Sequence, residues 1–352
     1  MRLRSRRRLS PGLTLRSIAY LLSFYIFSRT LWKFVICPFI SSPSQPYEAS
    51  GASKLAKTCP HLPELDDVLV VMKTGATEAL DRLPVHFHTT LRCMPHYIVY
   101  SDFAEVIDGH QVHDALDEIS HEIKSTVPEF ALYNALKSQG RSALSPDQLK
   151  QWDSAQNGIF GKQGNMGWHL DKWKFLPLVE KAMRRKPDAK WYIFVETDTY
   201  ISWLGLTSWL KNFDHREEWY LGEQMEIGPT IFAYGGTGYM ISAPTARKVV
   251  KYWKEYEDET SLYTEINWAG DEILGRTLKQ VGIGLHWSWP NLQGDVPGEV
   301  DYNANAWGRR LWCYAAVSWH HMSSADIFAL DQFERGWDFK AVSNSISIRC
   351  ME

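Results

Sequence analysis

The chain is short of charge imbalance, of repeats and of cysteine. Its 352 residues carry a formal net charge of only −3 at pH 7. Beyond the amino terminus no basic patch is interleaved with aromatics, so nucleic acid is not an expected partner. There is no internal repeat, and no low-complexity tract outside residues 41–57. No Asn-x-Ser/Thr sequon occurs, so N-glycosylation offers no mark of compartment. What is present is the composition of a folded protein. With 45% hydrophobic and 22% charged residues the chain is not disordered and can bury a full core, in one large domain or two small ones.

The amino terminus carries a targeting pattern. Arg2, Arg4, Arg6, Arg7 and Arg8 precede an apolar stretch, residues 18–27, that continues past Arg29 and Lys33 to Ile40. Basic residues before roughly 20 apolar ones hold that end in the cytoplasm and send the rest across the membrane. The expected organisation is a cytoplasmic tail over 1–14, a signal anchor over 15–40, a Ser/Pro/Ala-rich stem over 41–58 and a lumenal domain over 59–352. A cleaved signal peptide is the alternative, disfavoured because no small-residue cleavage site follows the apolar stretch. Of five cysteines, Cys37 falls in the anchor. Cys59, Cys93, Cys313 and Cys350 are an even set in a lumenal segment and predict two disulfides. Nearness in sequence suggests Cys59 with Cys93 and Cys313 with Cys350, among three pairings that four cysteines allow.

The rest reads as strands alternating with helices. Apolar runs at residues 68–73, 97–100 and 191–195 end at Thr74-Gly75, Ser101-Asp102 and Glu196-Thr197-Asp198. Helical stretches are expected over 77–83, 112–123 and 172–184, which implies an α/β fold with a mainly parallel, Rossmann-like sheet and flanking helices. Ser145-Pro146 and the Gly-rich residues 158–167 read as surface loops. Glu196 and Asp198, spaced i, i+2 at the end of a strand, can share one hard divalent cation where open α/β sheets bind ligands. Two carboxylates on a solvated loop are the plainer reading of that pair alone.

Three further segments follow in order: Phe232-Ala233-Tyr234-Gly235-Gly236-Thr237-Gly238-Tyr239-Met240-Ile241-Ser242, then Gly270-Asp271-Glu272-Ile273-Leu274-Gly275-Arg276, then Val317-Ser318-Trp319-His320-His321-Met322. With the acidic pair, they resemble the fringe-like and core-1-type beta-1,3-glycosyltransferases, an inverting family of GT-A fold. The closest pattern is that of fungal type II membrane members, and the resemblance runs from about residue 67 to about residue 333. It implies a Golgi membrane enzyme, single-pass and type II. Such an enzyme moves galactose, N-acetylglucosamine or a related hexose from a UDP-sugar to a hydroxyl of a glycan or glycoprotein. A homodimer is left open. Sixteen Trp residues fit a flat-walled sugar cleft, although core packing consumes most Trp in any protein.

By the same resemblance Asp198 and Glu196 hold the metal; Glu196 and Thr197 depart from the all-aspartate triplet of many relatives. The Val-Ser-aromatic-His pattern selects His320 as a further ligand. His321, adjacent on what reads as a strand, is expected to point to the opposite face. Imidazole mixed with carboxylate suits Mn²⁺. Asp271 would be the general base, with helix N-capping as its structural alternative and Glu272 as the fallback base. Gly235, Gly236 and Gly238 interrupt a strand and mark a bulge or a close approach. Thr197, Gly235 and Gly236 would line the donor pocket, Thr74 and Asp102 would contact uridine, and Lys174 or Lys172 would contact uracil or diphosphate. Ser242 is read as the cap of a scaffold helix with Ala246, Val249, Val250 and Trp253 on its apolar face. Two rivals remain: a glycoside hydrolase, disfavoured by the metal-suited His320, and a catalytically inactive lumenal glycan-binding or folding-helper protein, opposed by the retention of Asp198, Asp271 and His320.

Overall fold

The computed structural model describes residues 59, 62–153 and 164–336, all within the unit spanning Tyr47–Glu352. The expected tail, anchor and stem, most of the Gly-rich loop and Cys350 lie outside the described residues. Among the described residues no helix is long and apolar enough to cross a membrane.

The strands are β1 Val68–Lys73, β2 Tyr97–Ser101, β3 Glu105–Ile107, β4 His110–Asp114, β5 Trp191–Glu196, β6 Tyr200–Ile201, β7 Tyr220–Gly222, β8 Gln224–Ile227, β9 Thr230–Ala233, β10 Tyr239–Ser242, β11 His286–Trp287, β12 Leu292–Gln293, β13 Asn305–Ala306, β14 Arg309–Arg310 and β15 Ser318–Trp319. The helices used below are α1 Ala79–His88, α2 His121–Thr126, α3 Phe130–Gln139, α4 Pro146–Asp153, α5 Met166–Asp171, α6 Phe175–Arg185, α7 Trp203–Leu210, α8 Ala243–Glu255, α9 Glu257–Ile266, α10 Gly270–Gln280 and α11 Ser324–Gly336.

An eight-stranded sheet in the order β11-β7-β10-β5-β1-β2-β4-β3 carries the fold. Its centre is parallel: β1 pairs with β2 and β5, and β2 with β4. β10 is inserted antiparallel between β5 and β7. Every residue of β1 is buried, as expected of a parallel strand covered on both faces. The strand period divides its side chains between two cores. Leu69 and Val71 pack with Tyr192 and Phe194 beneath α3, α6, α8 and α10. Val68, Val70 and Met72 pack with Trp191, Ile193 and Val195 beneath α1 and α7.

The helix expected over 112–123 is instead β4, a connecting segment and the short helix α2. Residues 110–114 bury alternately, which is a strand's period, and Asp108-Gly109 with φ of 50° and 79° forms the tight turn joining β3 to β4. Ser242 precedes α8, and Ala246, Val249 and Trp253 are buried as expected. Its side chain does not cap the helix, because its hydroxyl accepts from Trp219 N at 3.0 Å and donates to Glu217 O at 2.7 Å. Cys59 and Cys93 are joined as a disulfide, and Cys313 is disulfide-bonded to a partner outside the described residues.

A second sheet, β12-β15-β6, matters more for function than its size suggests. Pairing of Trp319 with Tyr200 sets the chain after β15 beside the turn after β5, and Met322 N donates to Asp198 O at 2.9 Å.

One packing contact makes a direct prediction. A Cβ on Gly275 of α10 would lie 2.3 Å from the Phe232 Cβ of β9. Replacing a helical Gly by Ala gains about 1 kcal/mol of propensity, but overpacking costs about 1–3 kcal/mol. Gly275→Ala should therefore lower the urea midpoint, and an unchanged or raised midpoint would show that β9 yields.

Candidate active site

The carboxyl ends of β1, β2 and β5 lie together because Lys73 is in register with both Tyr100 and Glu196. The Lys73 ammonium is buried there between Asp171, with which it forms a tight ion pair, and Glu196 at 2.9 Å. It sits 4.4 Å from the centroid of the Phe175 ring. Burial alone would lower the lysine's pKa, but the charges of Asp171 and Glu196 outweigh it and raise it. Asp171, which burial would raise, is held low by Lys73 and Lys174.

Asp102 and Lys174 are 0% and 1% exposed. Lys174 Nζ donates to Thr74 O at 2.7 Å and lies 3.8 Å from Asp102 Oδ2, while Asp102 Oδ1 accepts from Ala76 N at 2.6 Å. Both side chains are buried behind the loop after β1 and brace it. Lys172, the alternative to Lys174, turns away to Glu129 and to the carbonyls of Glu265 and Asn267. Thr74 and Thr197 are buried with their hydroxyls 3.5 Å apart, and each reaches Glu78 Oε1. His86 Nε2–H donates to Thr197 O at 2.9 Å, and Thr90 donates to its Nδ1 at 2.6 Å. Burial holds this imidazole down at about 4. It is therefore neutral, and it fixes the turn that presents Asp198.

Asp198, His320 and His321 each offer a ligand atom, all within 4.8 Å of one another. Asp198 Oδ1 is 3.4 Å from His320 Nε2, and Asp198 Oδ2 is 3.6 Å from Arg82. The two imidazoles stack with centroids 3.8 Å apart. This corrects the expectation that His321 points away. β15 ends at Trp319, and His321 adopts φ 58°, so the alternation of an extended strand no longer applies. Glu196 lies outside this three-residue group, with its Oε1 2.9 Å from Lys73. Burial would raise Asp198, but the hydrogen bond and charge of His320, then Arg82, pull it down to about 2. The same partnership raises His320 against burial. His321 is lowered by burial and by His320.

The donor set fits a divalent cation. His320 Nδ1 is buried without a hydrogen-bond partner, and one carboxylate with two imidazoles suits a borderline ion such as Mn²⁺ better than Ca²⁺. Gly236 is required by this arrangement, since a Cβ there would stand 2.1 Å from His320 Cε1. Gly235 opens a 3₁₀ turn, Gly235–Thr237, and Gly238, at φ 79°, closes it; of the bulge or close approach expected of these glycines, Gly236 shows the close approach.

Asp271 lies inside the first turn of α10, whose N-cap position is Ala269, so it is not the cap. Its Oδ1 accepts from Glu272 N at 2.9 Å and its Oδ2 from Gly235 N at 3.0 Å. Burial, with the charge of Glu196, pushes it up to about 6 against those two hydrogen bonds and Lys73. Glu272 is 2% exposed and is held by Tyr263 at 2.9 Å and Asn267 at 2.9 Å. It is part of the scaffold, which removes it as a fallback base.

Arg82, Glu78 and Glu223 are among the site residues that escaped the sequence reading. Arg82 and Glu78 form an i, i+4 pair at 3.4 Å that reads as an ordinary solvated helix face; burial raises Glu78, with Asp198 and Glu196 adding to it against Arg82. Glu223 follows β7 with no motif around it, yet burial and then Asp295 push it up to about 7.

Residues 63–289 match the family described as Fringe-like, and the chain belongs to that family. No curated protein matches the chain. Among solved structures, the galactosyltransferase LgtC in complex with donor and acceptor sugar analogs aligns at 12% identity and a TM-score of 0.36, covering 72% of this chain and 86% of that one.

The metal-site geometry predicts that Asp198→Ala, His320→Ala and His321→Ala each weaken binding of Mn²⁺, used as the probe ion, by on the order of 10–100-fold or more. Calorimetry with Mn²⁺ measures it. A silent His321→Ala would remove that imidazole from the site.

Proposed function

We propose that the protein is a metal-dependent inverting glycosyltransferase of GT-A architecture, transferring a hexose or N-acetylhexosamine from a UDP-sugar to a hydroxyl of a glycan or glycoprotein. Family membership supports the transferase class. The observation that carries the chemistry is the pairing of two opposed environments: the Asp198–His320–His321 group and Asp271, pushed up to about 6.

A divalent cation bound by Asp198, His320 and His321 would offset the charge of the departing diphosphate. Arg82, 3.6 Å from Asp198, adds positive charge on the same side. Asp271 stands ready as the base. Its carboxylate takes the proton of the acceptor hydroxyl as that oxygen bonds the anomeric carbon, while the bond from that carbon to the diphosphate oxygen breaks and UDP leaves with the electron pair. One carboxyl suffices, because the leaving group needs no proton. The backbone N–H groups of Gly235 and Glu272 hold both oxygens of Asp271, so its orientation is fixed before substrate arrives. Mn²⁺ is the proposed ion, and galactose or N-acetylglucosamine the proposed sugar. The basic and apolar amino terminus supports a type II Golgi membrane protein with this site in the lumen. If so, protease added to sealed vesicles should spare everything after about residue 41, and cleavage of the catalytic domain in intact vesicles would defeat that topology.

The decisive variant is Asp271→Asn. A positioned base contributes about 10²–10⁴-fold to rate, so turnover should fall by that factor while UDP affinity is kept. Asn cannot accept from both N–H groups, so stability should also drop, by about 1–3 kcal/mol. In the wild type the base must be ionised. Transfer should therefore rise about tenfold per pH unit on the acid side and level off at or below about 6, because a bound cation favours the carboxylate. Unimpaired transfer by Asp271→Asn would remove this residue from the mechanism.

A further inference from the structure

Glu223 belongs neither to the metal group nor to the base, and its buried Oε2 has no hydrogen-bond partner. It is the first residue after β7, and Gly222 is in register with Tyr239, which is in register with Phe194 of β5. That places Glu223 on the sheet edge shared by Glu196 and the Gly235–Gly238 turn. Its carbonyl accepts from Tyr234 N at 2.8 Å, and the Tyr234 ring stands edge-on to His320 with centroids 5.0 Å apart. The Tyr234 phenol is raised by burial and then by Glu196, Asp198, Asp271 and Glu223. Glu223 thus shares one cleft with the base and the metal group.

The carboxyl is packed in, yet left unmatched. A Cβ on Gly294 would lie 3.1 Å from Glu223 Oε2, so the glycine makes room for it. The neighbouring Gln293 carbonyl accepts from His320 N at 3.1 Å, which ties this wall to the metal group. Glu223 Oε2 is buried and has no hydrogen-bond partner. Buried oxygens of this kind are normally paired. Glu223 is not in the three-residue metal group, and it forms no ion pair among the described residues.

We propose that Glu223 is a specificity-determining residue whose carboxyl accepts a hydroxyl of the sugar substrate in the cleft beside His320. This rests on the transferase reading above. A sugar hydroxyl supplies the neutral O–H donor that Oε2 lacks, and it is available from either the transferred sugar or the acceptor sugar. A site built to bind a hydroxyl discriminates strongly against sugars that cannot present one there.

The test compares wild type, Glu223→Gln and Glu223→Ala. Calorimetry at fixed Mn²⁺ would give affinities for UDP, UDP-galactose and UDP-N-acetylglucosamine. Transfer assays would give the Michaelis constants of p-nitrophenyl galactoside and N-acetylgalactosaminide acceptors, and melting temperatures would be recorded alongside. UDP affinity and melting temperature should be kept in both variants. Glu223→Ala should weaken UDP-sugar binding at least 10-fold if the hydroxyl belongs to the donor, or raise an acceptor Michaelis constant by that factor if it belongs to the acceptor; Glu223→Gln should recover part of the loss. Unchanged donor affinities and acceptor constants would overturn the proposal, as would equal weakening of UDP and UDP-sugar. A wild type that binds no UDP-sugar with Mn²⁺ would instead bring down the transferase reading, and this inference with it.

Discussion

The site is organised around one buried ammonium. Lys73 ends the central strand β1 and holds Asp171 on one side and Glu196 on the other, so it ties the end of β5 to the junction of α5 and α6. An unpaired charge at that depth would be costly, and its two carboxylates keep it ionised instead. The consequences spread outward. Glu196 turns Oε1 to Lys73 and stands outside the Asp198–His320–His321 group. The remaining charge of Glu196 nevertheless reaches Asp271 and helps to raise it. Removing the Lys73 charge would therefore disturb both the loop that bears Asp198 and the residue proposed as base.

The second constraint is steric. His320 can meet Asp198 only where β15 runs beside β6, and its ring then occupies the space that a side chain at position 236 would need. Thr199 donates to the Gly236 carbonyl at 2.5 Å, and Ser318 to the Thr237 carbonyl at 2.7 Å. The turn from Gly235 to Gly238 is thus fastened to the turn before β6 and to β15. That turn also supplies the N–H that orients Asp271. A single short segment therefore sets the spacing between the metal group and the base.

How much of this was legible in the sequence depended on range. Continuous apolar runs announced β1, β2 and β5, because a strand buried on both faces needs no alternation. The Asp-Gly turn before β4 was legible too, but the helical reading of residues 112–123 passed over it. His321 could not have been placed from its neighbours, since its orientation follows from a positive φ imposed where β15 stops. Asp102 follows a strand end and Lys174 a helix start, both at the carboxyl edge of the sheet. Their burial behind the loop, however, is set by Thr74 and Ala76, and that is tertiary information. Glu223 and Arg82 sit in unremarkable sequence and gain meaning only from what folds against them.

The carboxyls of the cleft differ in protonation because their surroundings differ, and this separates their roles. Asp198 faces His320 and Arg82 and is held down at about 2. It is therefore ionised at any physiological pH and suited to a cation. Asp271 has two backbone N–H groups but also burial and a neighbouring negative charge, and it lies at about 6, near the operating range of a base. Glu223, with neither ammonium nor N–H to pair it, is pushed up by burial and then by Asp295, to about 7. Environments that push equivalent groups apart are how one site divides acid–base labour. The contrast between Asp198, held down, and the two raised carboxyls follows from which partners each backbone position brings: a histidine across a sheet edge for Asp198, a glycine turn for Asp271, and only a glycine's empty space for Glu223.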